Sequence, residues 1–412
     1  MEVFLSIFLS LYKQKREMNY ILFDESNVRT NLLPLTFMRP VADIRVGILT
    51  IREKWEKMLK VKTSTLTEGY LSARFPIVKE AENILINGSV CPTEEIVAAV
   101  KKLKPNQTVI YCETIVALHV SAEELDNPSS GTEDTEEVPV ADAPIKIGHT
   151  WDIFTKNDAA IREDFRLLTK GRKSQPLSET NTILGGENIF VEKGAVVECA
   201  ILNATTGPIY IGKDAEIMEG AVIRGPFAIC DGSQVKMAAK IYGATTVGPR
   251  CRVGGEINNS VLFAYSNKAH DGFLGHSVIA EWCNLGADTN TSNLKNTYDE
   301  VRLWSYAKRT FVNTHLQFCG LIMGDHSKCG INTMFNTGTV VGVNANIFGP
   351  GFQRNFIPSF TWGGTAGHLN YDLKKAIEVA EIVCKRRGVH LTDIDKDLLT
   401  SVYNLTLKNK RL

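Results

Sequence analysis

The sequence lacks an excess of charge of either sign: Lys plus Arg and Asp plus Glu each number 46 in 412 residues. There is thus no electrostatic reason to expect nucleic acid or an acidic membrane as partner. Nine cysteines are present but no CxxC pair. An odd count at scattered spacing fits reduced thiols in a cytoplasm better than a disulfide framework. No apolar run is long enough to span a bilayer. The opening MEVFLSIFLSLYKQKRE has its basic residues after a short apolar run, and no small-residue cleavage site follows. We read residues 1–17 as an extension upstream of Met18 and expect a soluble, cytoplasmic protein.

What is present divides in two. Residues 18–175 read as mixed α/β. Strand-like runs (Tyr20–Phe23, Ile84–Ile86, Thr108–Tyr111) alternate with helical ones (Ile48–Leu59, Glu94–Leu103). The acidic stretch 121–144 has no aromatic residue and reads as a loop or insertion. WDIFTKNDAAIREDFRLL then reads as a helix leading out of the domain.

From Ile183 the character changes. Ile211, Ile217, Ile223, Ile229, Val235, Ile241, Val247 and Val253 recur every sixth residue, and a mostly small residue follows four later. Neither an α-helix nor a simple strand has that period. A coil of three short strands does, at about eighteen residues per coil, and this is the hexapeptide repeat of a left-handed parallel β-helix. The period returns at Met323, Cys329, Phe335, Val341 and Ile347. We assign residues 176–370 to this domain. Residues 371–412 form a C-terminal helical segment that would protect the open end of the coil or meet a neighbouring subunit.

Between the two arrays the register is lost after Val253 and picks up, shifted by two, at Phe273, Ile279 and Leu285. A break in a strict repeat predicts a loop, and loops on a rigid scaffold are where function usually sits. The break contains SNKAHDGFLGH, with His270 beside Lys268. Its run from Ala269 to Asn293 resembles, without a gap, the acetyltransferase half of the bifunctional N-acetylglucosamine-1-phosphate uridylyltransferase/glucosamine-1-phosphate acetyltransferase family. The matching residues are His270, Phe273, Leu274-Gly275, Leu285-Gly286-Ala287-Asp288-Thr289 and Asn293. The resemblance implies a general base at His270, substrate contacts at Phe273 and Asn284, and acetyl-CoA contacts at Ala287 and Asn293. An imidazole suits removal of a proton from an amino sugar before attack on a thioester. His270 alone reads equally as a histidine capping a loop carbonyl. Lys268 reads as a phosphate partner or as a solvated charge. Asn258 stands where the family carries a sugar-phosphate lysine, and Phe273 where it carries tyrosine. A zinc reading would need His270 and His276, six apart, to share a metal, but that spacing puts them on adjacent sides of the coil.

LLPLTFMRPV (Leu32–Val41) resembles the end of the sugar nucleotidyltransferase signature, and ILINGSVCP resembles its metal-binding strand end. Glycine is absent from Asp24–Asn31, and Ser89 replaces the expected aspartate. Arg29 and Arg39, with Arg45, Arg52 and Lys54 close by, could hold phosphate by charge instead. With the β-helix, the pattern resembles a divergent, Bacteroidetes-type branch of the bifunctional family. The fold class expected is a Rossmann-like α/β nucleotidyltransferase domain followed by a left-handed β-helix and a C-terminal helix. The expected function is acetyl-CoA-dependent N-acetylation of an amino-sugar phosphate in UDP-N-acetylglucosamine synthesis, in a homotrimer. The alternatives are a sugar-1-phosphate nucleotidyltransferase using UTP or another nucleotide with Mg2+, and a degenerate N-terminal domain that only binds nucleotide sugar. Asp24 or Glu25 could supply the missing carboxylate.

Overall fold

A computed structural model describes residues 18–127 and 135–407; the reading of residues 1–17 lies outside them. The N-terminal domain is built on a six-stranded mixed sheet. Its strands are β1 (Asn19–Phe23), β2 (Ser64–Leu66), β3 (Glu82–Asn87), β4 (Gln107–Tyr111), β5 (Thr114–Ser121) and β6 (Glu136–Pro139). They lie in the order β2-β1-β3-β5-β4-β6. The acidic stretch read as a loop is partly structured: its capping box at Ser121 and Glu124 starts the short helix Ala122–Asp126, and β6 pairs with β4. Helix α1 (Ile51–Leu59) starts later than expected because Thr50 and Glu53 form a capping box. Trp55 on that helix is fully buried and donates to the Val90 carbonyl. Helix α2 (Asn157–Thr169) leads out of the domain.

Residues 182–364 wind into a three-sided parallel β-helix. One face begins with Thr182–Leu184, the second with Ile189–Val191 and the third with Val196–Val197. The eight hexad aliphatics from Ile211 to Val253 all fill the interior, none more than 1% exposed. Past Val253 the coil does not break. Ile257, Leu262, Lys268, Leu274, Ile279 and Leu285 continue the interior row through shortened corners. Leu274, not Phe273, is the inward residue. The segment that does leave the coil comes later, between Thr291 and Leu321, and carries the antiparallel hairpin Arg302–Ser305/Thr310–Asn313.

The second face is a parallel sheet covered on both sides. Its outward residues Phe190, Tyr210 and Ala228 pack on Ile48, Leu49 and Ile161 of the N-terminal domain. Further along, Val261, Val278, Ile322 and Val340 merge with the N-terminal core and with Val301 and Leu303 of the protruding segment. Polar ties fix the docking. Asn157 donates to the Ala244 carbonyl (2.9 Å) and accepts from the Gly47 amide (2.7 Å), and Thr246 donates to the Gly47 carbonyl (2.9 Å). Helices α3 (Leu373–Arg386) and α4 (Asp393–Leu407) lie against the last turns of the coil. They pack against Phe37, Met38 and Leu71 of the N-terminal domain and Val343 and Phe360 of the coil. No helix among the described residues is long and apolar enough to cross a membrane.

Arg39 crosses this interface. Its guanidinium forks onto Asp325 of the coil, lies 3.3 Å from Glu281, and sits over the Phe263 ring. Both members of the Arg39–Asp325 pair are buried. Removing Arg39 strands buried Asp325, at a cost of about 3–5 kcal/mol. Arg39→Met is expected to lower the urea midpoint accordingly, and Asp325→Asn to lower it less, because Glu281 stays beside the guanidinium. The double variant Arg39→Met/Asp325→Leu should recover most of the loss, because both desolvation penalties vanish together.

Candidate functional site

The motif around His270 is a corner of the coil, between the third-face strand Asn267–Lys268 and the first-face strand Phe273–Gly275. The His270 side chain is on the exposed side of that corner. Gly272 has φ +104°, and a Cβ there would collide with the Thr289 carbonyl of the next coil, so the Asp-Gly pair meets a backbone requirement. Lys268 is neither a phosphate partner nor a solvated charge. It pairs in register with Val253 and is fully buried in the coil interior, a position otherwise held by aliphatics. Its ammonium donates to the carbonyls of His270 (2.5 Å) and Asp271 (2.8 Å). A buried cation therefore holds the histidine's backbone from beneath. Burial pushes the Lys268 ammonium down to about 8, with Asp271 and Asp288 opposing that shift.

Phe273 is half-buried on the first face, and Asn284 is exposed on the third, within reach of Asn267 (3.4 Å). Ala287 lies in the next corner, stacked on that of His270. His270, Phe273, Asn284 and Ala287 are thus gathered around one edge. Asn293 lies at the other end of the first face. Gly275 makes room there: a Cβ would come within 2.5 Å of the Asn293 amide and 2.6 Å of the Phe273 ring.

Asn293 belongs to a ladder that the sequence reading missed. Asn259, His276 and Asn293 are spaced by seventeen and stack on successive coils. Asn259 accepts from the Ala244 amide through Oδ1 (2.8 Å), so its Nδ2 faces His276 Nε2 (3.2 Å). Nε2 is therefore the acceptor and Nδ1 carries the hydrogen. The Asn293 amide, 2.9 Å from Nδ1, must present its oxygen. Burial pushes His276 down to about 4, so it is neutral at pH 7. Both ring nitrogens are engaged, and His276 is a structural member of the corner. The equal spacing of two amides around a histidine was the available signal. His270 and His276 lie at different corners, and no group of three or more metal-ligating side chains occurs among the described residues.

The cations expected to hold phosphate in the N-terminal domain are all engaged. Arg29 is buried, bonded to Asp24 (2.9 Å), the Thr36 carbonyl (2.6 Å) and the Tyr70 hydroxyl (2.8 Å). Arg39 is held by Asp325, as above. Arg52 forks onto Asp43 (2.9 and 2.8 Å), Lys54 pairs with buried Asp164, and Arg45 donates to the Ile48 carbonyl. Arg29 and Arg39 are therefore braces of the Leu32–Val41 loop, not an anion site. Asp24 is equally committed: it accepts from Arg29, from the Thr67 hydroxyl (2.5 Å) and from the Val41 amide (2.8 Å). Burial raises its pKa above the ordinary carboxylate value even so. Ser89 is buried and donates to Asn87 Oδ1 (2.7 Å). The remaining carboxylate, Glu25, is bound by Asn87 (3.2 Å) and Lys146 (3.3 Å). Two carboxylates already committed to protein partners, beside a neutral hydroxyl, do not fit a magnesium site.

The buried ammonium generates a prediction with a defined sign. Below pH 8 both folded and unfolded Lys268 are protonated, and the folded state bears the cost of desolvation. Between about 8 and the ordinary lysine value of 10.5 the unfolded chain holds a proton that the folded chain has lost, so folding gains stability as pH rises. Lys268→Met removes this linkage. Its thermal midpoint relative to wild type is expected to be highest below pH 8 and to fall steadily between pH 8 and 10.5. A difference that does not change with pH would place the ammonium in solvent.

Against known proteins, residues 20–173 match the family described as sugar nucleotidyl transferase. A bifunctional sugar-1-phosphate nucleotidylyltransferase/acetyltransferase of Sulfurisphaera tokodaii is 33% identical over 151 residues, 36% of this chain and 37% of that one. The bifunctional protein GlmU of Methanocaldococcus jannaschii is 28% identical over 198 residues, 48% of this chain and 42% of that one. An uncharacterized acetyltransferase, YaiX, of Escherichia coli O6:K15:H31 is 28% identical over 171 residues, 40% of this chain and 73% of that one. The match to each bifunctional enzyme thus spans less than half of that enzyme's length. Residues 20–173 form a sugar nucleotidyltransferase domain, joined here to a β-helix in a chain with distant relatives among the bifunctional nucleotidylyltransferase–acetyltransferases.

Proposed function

We propose that this protein is an acetyl-CoA-dependent N-acetyltransferase of an amino-sugar phosphate of the glucosamine 1-phosphate type, and that His270 is its general base. The observation that carries this reading is the His270 corner: an exposed imidazole on a backbone clamped from inside the coil by Lys268. In the reaction the imidazole takes a proton from the sugar ammonium and the freed amine attacks the thioester carbonyl; the C–S bond then breaks, the imidazolium returns its proton to the CoA sulfur, and the amide nitrogen loses its extra proton to solvent. Backbone N–H groups of the stacked corners stabilise the oxyanion that forms in between. Phe273 and Asn284 flank the sugar, while Ala287 and Asn293 lie along the acetyl-CoA path. A clamped corner keeps the base in place without reorganisation at each turnover.

A lone coil edge is convex, and a pantetheine arm needs a groove. The second face is occupied by the chain's own N-terminal domain. A homotrimer would therefore join copies through the first and third faces, which meet at the His270 corner. Light scattering at micromolar concentration should give three times the chain mass; a monomer removes the groove.

The match of residues 20–173 to sugar nucleotidyl transferases favours a second reading, a coupled sugar-1-phosphate nucleotidyl transfer. The engaged side chains at the mouth of the N-terminal sheet weigh against it and favour a domain that binds a nucleotide sugar without turnover. One incubation separates these readings: glucosamine 1-phosphate, acetyl-CoA, UTP and magnesium, with CoA and pyrophosphate followed separately. CoA release is expected, and it should fall by about 10²–10⁴-fold in His270→Ala with an unchanged circular dichroism spectrum. Near-normal CoA release by the variant would overturn the assignment of the base.

A further inference from the structure

A large cleft at the far end of the coil takes no part in the site above. It has a volume of about 810 Å³ and is lined by three separate elements: the hairpin that leaves the coil, the last second-face strand and the final hairpin Thr361–Gly364/Gly367–Asn370. Trp304 stacks on Phe356 with centroids 4.3 Å apart and planes 12° from parallel, and Phe311 meets Trp304 edge-on at 5.4 Å. These rings make an aromatic wall. Arg354 also lines the cleft; it is exposed and has no ion pair among the described residues. His368, likewise on the lining, has a buried Nε2 without a hydrogen-bond partner among the described residues.

We propose that this cleft binds a nucleoside diphosphate, with its base against the Trp304–Phe311–Phe356 wall and its phosphates at Arg354, beside the His368 ring. Each feature narrows the ligand. The volume lies in the range that encloses a small organic molecule and far exceeds what an inorganic anion needs. A purely apolar ligand would leave Arg354 without a counter-ion. An inorganic phosphate would leave the aromatic wall in water, whereas any nucleobase gains by stacking on it. Burial and the nearby Arg354 charge both hold His368 below its ordinary value, so the ring is neutral and ready to gain a proton when an anion arrives. The inference stands apart from the acetyl-transfer reading, because none of its residues belongs to the His270 corner.

The test uses the full chain, UDP and ADP as probes, and pyrophosphate as the ring-free control. Calorimetry should show saturable binding of both nucleotides, with pyrophosphate at least tenfold weaker. Arg354→Gln, an exposed change with no packing to lose, should weaken nucleotide binding by about 10–100-fold. Titration of the His368 imidazole by NMR should move to higher pH when UDP is added. The proposal fails if neither nucleotide binds at millimolar concentration, if pyrophosphate binds as well as UDP, if Arg354→Gln binds like wild type, or if His368 titrates unchanged with UDP present. Acetyl transfer in Arg354→Gln is expected to remain normal, so the two readings fail separately.

Discussion

The structure depends on burying the second face of the β-helix from both sides. Inside the coil, each short strand of that face contributes aliphatics to the interior row. On the outside, one residue per coil points away from it, from Phe190 through Tyr210, Ala228, Thr246, Val261, Val278 and Ile322 to Val340, and all eight are buried. A parallel sheet exposes no polar side in such an arrangement. The other two faces show Glu216, Arg252, Asn284 and Lys240 outward, among exposed aliphatics such as Val196 and Val222. The N-terminal domain, the protruding hairpin and the C-terminal helices all attach along the covered side.

That attachment explains where the charges go. A domain seated on an apolar sheet shields whatever cations lie in the contact, and an unpaired buried charge is too costly to persist. Arg39 is matched by Asp325 and Glu281, Lys54 by Asp164, and Arg29 by Asp24. Asp164 also accepts from the amides of Ile48 and Leu49, the two residues that press on the coil. The loop that resembles the nucleotidyltransferase signature is thus held rigid by its own arginines. The same economy operates in the coil, where Lys268 replaces an aliphatic and its charge is met by two carbonyls of the corner above it. In each case a buried cation is tied to the chain's own carboxylates or carbonyls.

The period of six was legible because its cause is local. Every sixth side chain of a triangular coil must enter the interior, and no other architecture imposes that spacing. The same logic misled at Val253: a strict count takes a shortened corner for a departure, since the fixed period ignores how many residues the turn uses. Ile257, Leu262 and Leu274 show that the interior row continued. The role of the hairpin beyond Thr291 in covering Val261 and Val278 is not local, because it depends on contacts with residues far along the chain.

The sequence by itself determined the parallel coil, the α/β character of residues 18–175 and the position of His270 beside a glycine-rich turn, because these follow from periodicity, local turn chemistry and motif order. Only the tertiary structure decided which face would be covered, that Arg29 and Arg39 would brace a loop, and that Lys268 would point inward. The physical reason is the same for the last two. The fate of a long charged side chain is set by desolvation and by the partner it meets, and here the partners are fixed by packing: Arg39 finds its carboxylate 286 residues away, a distance no local pattern encodes.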